Sequence, residues 1–238
     1  GEILSLLGEN GSGKTTLMNM LAGIYFPDEG YILVDGKKVT ITSPKDSFAL
    51  GIGMVHQHFK LIDTFTALQN IILGLDGSFF LNKKKTEKAI KAIVDRYGFQ
   101  LDLKKKIYEM SVSEKQTVEI IKLLYRNVDT LILDEPTAVL TPQETERLFD
   151  ILRKMKEDGK AIIIITHKLN EVLELSDRVA ILRKGEMIGC IDTKEANEEI
   201  LTDMMVGEHV SLKIQRDEPT RRKVRLSISH LTTYNQEH

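Results

Sequence analysis

The sequence holds a single cysteine, Cys190, among 238 residues. One thiol forms no internal disulfide and is too little for a cysteine-rich zinc site, which points to a reducing compartment, most simply the cytosol. The chain also lacks a charge excess. Its 33 Lys+Arg stand against 35 Asp+Glu, a net of -2, so no global basic field draws it to nucleic acid. No apolar run approaches the 18 residues of a membrane-crossing helix, and the first residues lack the charged-then-apolar layout of a signal peptide. No internal repeat or low-complexity tract is visible. What is present suits a globular chain with a sizeable core: 42% apolar and 29% charged residues, which excludes collagen-like, disordered and coiled-coil classes.

Strand and helix patterns alternate. Strands are expected at 3–7, 31–34, 131–133, 161–166 and 179–182, and helices at 15–24, 86–97, 116–125, 142–158 and 169–175. Leu131-Ile132-Leu133 and Ile162-Ile163-Ile164-Ile165 are apolar on both faces, as parallel strands covered by helices on each side are. The expected fold is α/β with a mostly parallel central sheet. The chain opens directly on a buried strand. A polar segment, 208–223, reads as a linker, and Val224-Arg225-Leu226-Ser227-Ile228 alternates as a new strand does, so 224–238 is expected to begin a second unit. The expectation is a fragment cut at both ends.

Two motifs carry the chemistry. Gly8-Glu9-Asn10-Gly11-Ser12-Gly13-Lys14-Thr15 matches the P-loop pattern, with a buried strand before it and an amphipathic helix, beginning at Thr15 and Thr16, after it. Its glycines let backbone N–H groups curl around phosphate oxygens, and the helix N-terminus adds about half a positive charge. Lys14 supplies a point charge for the β- and γ-phosphates, and Thr15 offers its hydroxyl to Mg²⁺. The second motif, Leu131-Ile132-Leu133-Asp134-Glu135, is a buried strand ending in two carboxylates. Asp134 is expected to hold Mg²⁺ and Glu135 to orient or deprotonate an attacking water, which favours hydrolysis over transfer to another acceptor. The lysine runs 83–85 and 104–106 read as solvated helix ends.

Together with Gln57 in Val55-His56-Gln57-His58-Phe59, Met110-Ser111-Val112-Ser113-Glu114 before a helix, and His167 after the Ile-rich strand, these motifs resemble the ATP-binding cassette (ABC) family over nearly the whole chain. The stretch Asp134-Glu135-Pro136-Thr137-Ala138-Val139-Leu140-Thr141-Pro142 and Val118-Glu119-Ile120 resemble, more narrowly, the ATPase subunits of bacterial simple-sugar and nucleoside importers. Those subunits usually carry two cassettes in one chain, and this sequence looks like the first.

The resemblance implies a P-loop NTPase fold with an antiparallel β part and a helical subdomain at about 62–125, the cassette covering 1–207. It implies an ATPase whose ATP is sandwiched between two cassettes, Ser111 touching the γ-phosphate held by the opposite one. Gln57 is implied to sense Mg²⁺ and the water, and His167 to hydrogen-bond the γ-phosphate. The implied partners are a membrane permease, a second cassette and, indirectly, an extracytoplasmic solute-binding protein, with the chain on the cytoplasmic face of the membrane and no nucleic acid involved. The alternative is a soluble ABC ATPase of DNA repair or translation; a small-molecule kinase would lack the signature and His167.

The sequence departs from the family at two places. The usual signature is L-S-G-G-Q, and here Val112 and Ser113 replace both glycines. If the second position needs positive φ, Ser113 is strained, and Glu114 adds negative charge near a polyphosphate unless Lys115 offsets it. On that reading this signature completes the poorer of two unequal sites. Thr141 stands where the family carries Asp; Thr141-Pro142-Gln143-Glu144 reads instead as a capping box with Pro at the first helical position.

Overall fold

The computed structural model describes residues 1–75, 83–207 and 227–232. Its elements run β1 (Glu2–Leu7), α1 (Lys14–Leu21), β2 (Ile32–Val34), β3 (Lys37–Val39), α2 (Pro44–Ala49), β4 (Ile52–Val55), α3 (Ala67–Ile72) and α4 (Lys83–Tyr97). They continue through α5 (Val112–Tyr125), β5 (Thr130–Asp134), α6 (Pro142–Glu157), β6 (Ala161–Thr166), α7 (Leu169–Leu175), β7 (Arg178–Arg183), β8 (Glu186–Asp192) and α8 (Glu198–Val206). The expected linker at 208–223 and the first residues of the strand expected from Val224 lie outside the described residues; Ser227 and Ile228 carry no regular structure.

Six strands form the main sheet in the order β4-β5-β6-β1-β7-β8, every pair parallel except the last. A separate antiparallel pair joins β2 and β3. The expected α/β fold is borne out, and so is the apolar character of both sheet faces. Leu131, Leu133, Ile162 and Ile164 face one side, in a core shared with α3 to α6. Ile132 and Ile165 face the other, with Met18 and Ala22 at the α1 side. Among the described residues no helix is long and apolar enough to cross a membrane.

Register decides what the sheet can build. Val55 stands opposite Leu133, Leu133 opposite Ile164, and Ile164 opposite Ser5. The loops bearing Gln57, Glu135, His167 and the P-loop therefore leave one edge of the sheet within a residue or two of the same level. The start of α6 follows the capping chemistry read from sequence. Thr141 accepts from Glu144 N–H and Glu144 reaches back, with Pro142 at the first helical position.

Sequence patterns missed β3, β4 and β8, and the helices α2, α3 and α8. Gly53 interrupts the apolar run of β4, and it is there for a close approach: a Cβ at Gly53 would meet Leu123 Cδ2 at 2.8 Å and Val128 Cγ2 at 3.1 Å. α5 thus lies directly on β4. Gly53→Ala is expected to destabilise the fold by about 1–3 kcal/mol through overpacking. Urea denaturation checks this; an unchanged midpoint would mean that α5 shifts freely over the sheet.

Candidate nucleotide-binding site

The loop between β1 and α1 needs its glycines for identifiable reasons. Gly11 and Gly13 adopt φ of 82° and 98°, the left-handed region that favours glycine. A Cβ on Gly8 would meet the Leu182 carbonyl oxygen at 2.2 Å. The loop closes over Lys14, whose side chain is only 6% exposed and whose Nζ donates to the carbonyls of Gly8 (2.8 Å) and Glu9 (2.9 Å). Ser12 is buried within the loop, while Glu9, Asn10, Thr15 and Thr16 are exposed. The first turn of α1 carries no acidic residue of its own, and the carboxylate that meets it, Asp134, comes from the end of β5.

At the ends of β5 and β6, Thr15 Oγ1 donates to Asp134 Oδ2 at 3.3 Å, and Glu135 is held on both carboxylate oxygens. Gln57 Nε2 donates to Oε2 at 3.1 Å, and His167 Nδ1 lies 3.0 Å from Oε1. With Nδ1 directed at Glu135, only Nε2 of His167 is left for a phosphate oxygen. Glu135 itself has φ 47°, unusual for a residue with a side chain and more so before a proline, where extended backbone is the norm. Strain of this kind costs of order 1–3 kcal/mol and gathers at functional sites. Gln116, buried on α5, donates to the Pro136 carbonyl at 3.0 Å and steadies the same turn; its partner lies 20 residues away in sequence, so no local pattern announced it.

These groups surround one open cleft of about 410 Å³. Asn10, Gly11, Gly13, Lys14, Thr15, Thr16, Gln57, Asp134, Glu135 and His167 all line it, so most of the expected residues converge. Burial pushes the Lys14 ammonium down, against the opposing pull of Glu135 and Asp134. Burial pushes the Asp134 carboxyl up, opposed by the Thr15 hydrogen bond and reinforced by Glu135. Both groups gain from a ligand that brings an anion to Lys14 and a cation to Asp134. The paired hydroxyl and carboxylate oxygens of Thr15 and Asp134 suit Mg²⁺, a hard cation bound through few protein oxygens with water and phosphate completing its shell.

Sequence and backbone comparisons agree with this geometry. The sequence profile described as ABC transporter matches residues 1–138. The chain belongs to the ABC transporter family. It is 50% identical over 218 residues to the guanosine import ATP-binding protein NupO of Bacillus subtilis, covering 91% of this chain and 43% of that protein. It is 44% identical over 233 residues to the nucleoside import ATP-binding protein NupA of Lactococcus lactis, covering 97% and 46%. With the glucose import ATP-binding protein TsgD13 of Haloferax volcanii the identity is 43% over 247 residues, covering 91% and 45%. The chain thus spans about half the length of the curated relatives it matches. Its backbone is similar to the ADP conformation of MJ1267, an ATP-binding cassette of an ABC transporter, with TM-score 0.73, 26% identity and coverage of 87% and 88%.

The segment expected to act as the signature lies apart from the cleft. Ser111 lines a different cavity, of about 480 Å³, between α5, α6 and the end of α4. Two expectations about this segment are corrected. Ser113 is not in positive φ: α5 starts at Val112, and Ser113 sits in its first turn with helical backbone. The charge of Glu114 is offset by Lys105, not Lys115. Lys105 Nζ donates to both carboxylate oxygens at 2.8 Å, whereas Lys115 reaches only Asp63, at 3.9 Å. Burial raises the Glu114 pKa, but the Lys105 contact and the Ser111 N–H outweigh it and hold the carboxyl below its ordinary value. Lys105 is accordingly not a merely solvated helix end. The local reasons for a weakened signature are therefore gone. Ser111 also caps α5, completing a capping box with Glu114. Ser111→Ala should cost about 1 kcal/mol of unfolding free energy without any nucleotide present. Thermal or urea unfolding measures it, and an unchanged stability would mean that water replaces the cap.

Proposed function

We propose that this chain is an ATP-binding and ATP-hydrolysing cassette that powers import of a small solute through a membrane permease. The observation that carries the reading is Glu135, gripped by Gln57 and His167 at the edge where the P-loop opens. The reaction is ATP + H₂O to ADP + phosphate. Asn10 to Thr16 embrace the phosphates through backbone N–H groups, and Lys14 exchanges its contacts with the Gly8 and Glu9 carbonyls for phosphate oxygens. Mg²⁺, held by Thr15 and Asp134 with Gln57 nearby, would neutralise charge developing between the β- and γ-phosphates. Glu135 accepts the proton of the attacking water, and His167, with a hydrogen on each ring nitrogen, donates to Glu135 through Nδ1 and to the γ-phosphate through Nε2.

Ser111, outside this chain's own cleft, is free to meet the γ-phosphate held by a second cassette, with the N-terminus of α5 aimed at it. The solute is a simple sugar such as galactose or ribose, or a nucleoside. That assignment rests on relatives named for the import of guanosine, nucleosides, glucose and ribose. The same names favour an importer over a soluble repair or translation ATPase. The permease, a second cassette, an extracytoplasmic solute-binding protein acting indirectly and a place on the cytoplasmic face of the membrane belong to the same proposal.

Glu135→Gln is expected to slow ATP hydrolysis by roughly 10²–10⁴-fold while leaving nucleotide binding intact. Phosphate release and fluorescent-nucleotide binding, measured side by side, check this. Unchanged turnover would remove Glu135 from its role.

A further inference from the structure

Beyond Glu135 the chain is fastened by a polar triad that the chemistry above does not use. Lys168 Nζ donates to the Thr137 carbonyl at 3.0 Å, to Thr137 Oγ1 at 3.2 Å and to Glu171 Oε1 at 2.9 Å. Thr137 Oγ1 in turn donates to Glu171 Oε2 at 2.6 Å. All three ammonium protons are committed, both carboxylate oxygens are engaged, and Thr137 is 2% exposed. The bland reading is a surface lysine paired with the glutamate three residues on, an arrangement of little consequence by itself. Two of the three lysine bonds, however, go to Thr137, 31 residues away in sequence and two residues after Glu135.

Location gives the triad its meaning. Lys168 directly follows His167, and Glu171 lies in the first turn of α7. Thr137 lies on the turn that Glu135 enters at φ 47°. Backbone strain of this kind persists only where the surroundings over-determine it. Glu135 N–H donates to the Ile165 carbonyl at 2.9 Å, Gln116 holds the Pro136 carbonyl, and the triad holds Thr137. The loop of Glu135 and the loop of His167 are thus joined twice: at the 3.0 Å contact between the two side chains, and again through Lys168.

We propose that Lys168, acting through Thr137 and Glu171, is a positioning residue that fixes the distance and orientation between Glu135 and His167. The proposal rests on the ATPase reading of this site. Lys168 does not line the nucleotide cleft, so it sets the rate of the chemical step and leaves nucleotide affinity alone. Misplacement of a reacting group by about 1 Å can cost 10²-fold in rate.

The test is steady-state ATP hydrolysis by the intact protein, comparing Lys168→Met, Lys168→Arg, Thr137→Val, His167→Ala and the Lys168→Met/His167→Ala double variant, with Glu135→Gln in the same assay. The expected result is a kcat about tenfold lower in Lys168→Met, a KM for ATP within about twofold and an unchanged melting temperature, with partial recovery in Lys168→Arg. Thr137→Val, nearly isosteric, should lower kcat in the same direction and guards against a misfolded lysine variant. Because Lys168 acts through His167 and Glu135, the double variant should be hardly slower than His167→Ala. Unchanged kcat in Lys168→Met and Thr137→Val, or fully multiplicative losses in the double variant, would overturn the positioning role. If Glu135→Gln also keeps the wild-type rate, the ATPase reading itself falls; if Glu135→Gln is slow, only the proposal for Lys168 falls.

Discussion

Parallel pairing of β1, β5 and β6 sets how far apart the P-loop, Glu135 and His167 can lie. Asp134 stands opposite Ile165, and Ile165 opposite Leu6, so the three strands end together. A one-residue shift would exchange Leu131, Leu133, Ile162 and Ile164 with the residues of the core on the α1 side, so both packed faces would have to be refilled by side chains of other shapes. The same hydrophobic pattern that builds the core therefore aligns the polar groups at its edge. Gly53 extends this order to α5 by letting the helix lie against β4, which carries the signature segment at a fixed height beside the sheet.

Within that frame the cleft is electrostatically unfinished. A desolvated ammonium and a desolvated carboxylate each have their charged form disfavoured, and Glu135 adds a second negative charge close by. Lys14 meets the shortage by turning to two backbone carbonyls of its own loop. A polyphosphate with a divalent cation would bring an anion to Lys14 and a cation to Asp134. The strain at Glu135 fits the same picture, since the side chain is presented to the cleft by a backbone conformation that three separate hydrogen bonds secure.

The site was legible where its residues are contiguous and their neighbours explain them. The P-loop sits between a strand and a helix, and Asp134-Glu135 closes a strand that is apolar on both faces. Thr141 and Glu144 form the capping box that their spacing implies. Pattern failed where the decisive partner is remote. Nothing near Glu114 points to Lys105, nine residues earlier across a turn, and nothing near Lys168 points to Thr137. The expected start of α5 at residue 116 was late by one turn because Val112 and Ser113 were read against a glycine-rich signature, whereas Ser111 as N-cap already begins the helix. β8 escaped because its exposed, charged ends and Gly189 blur the alternation of an edge strand.

Titration calorimetry of the intact protein with Mg-ATP, beside its Lys14→Ala variant, tests most directly whether this edge is a polyphosphate site. Saturable binding that disappears in Lys14→Ala is the predicted result, since a neutral methyl cannot replace the buried ammonium among the phosphate oxygens. Failure of the wild-type protein to bind, or equal affinity in the variant, would contradict it.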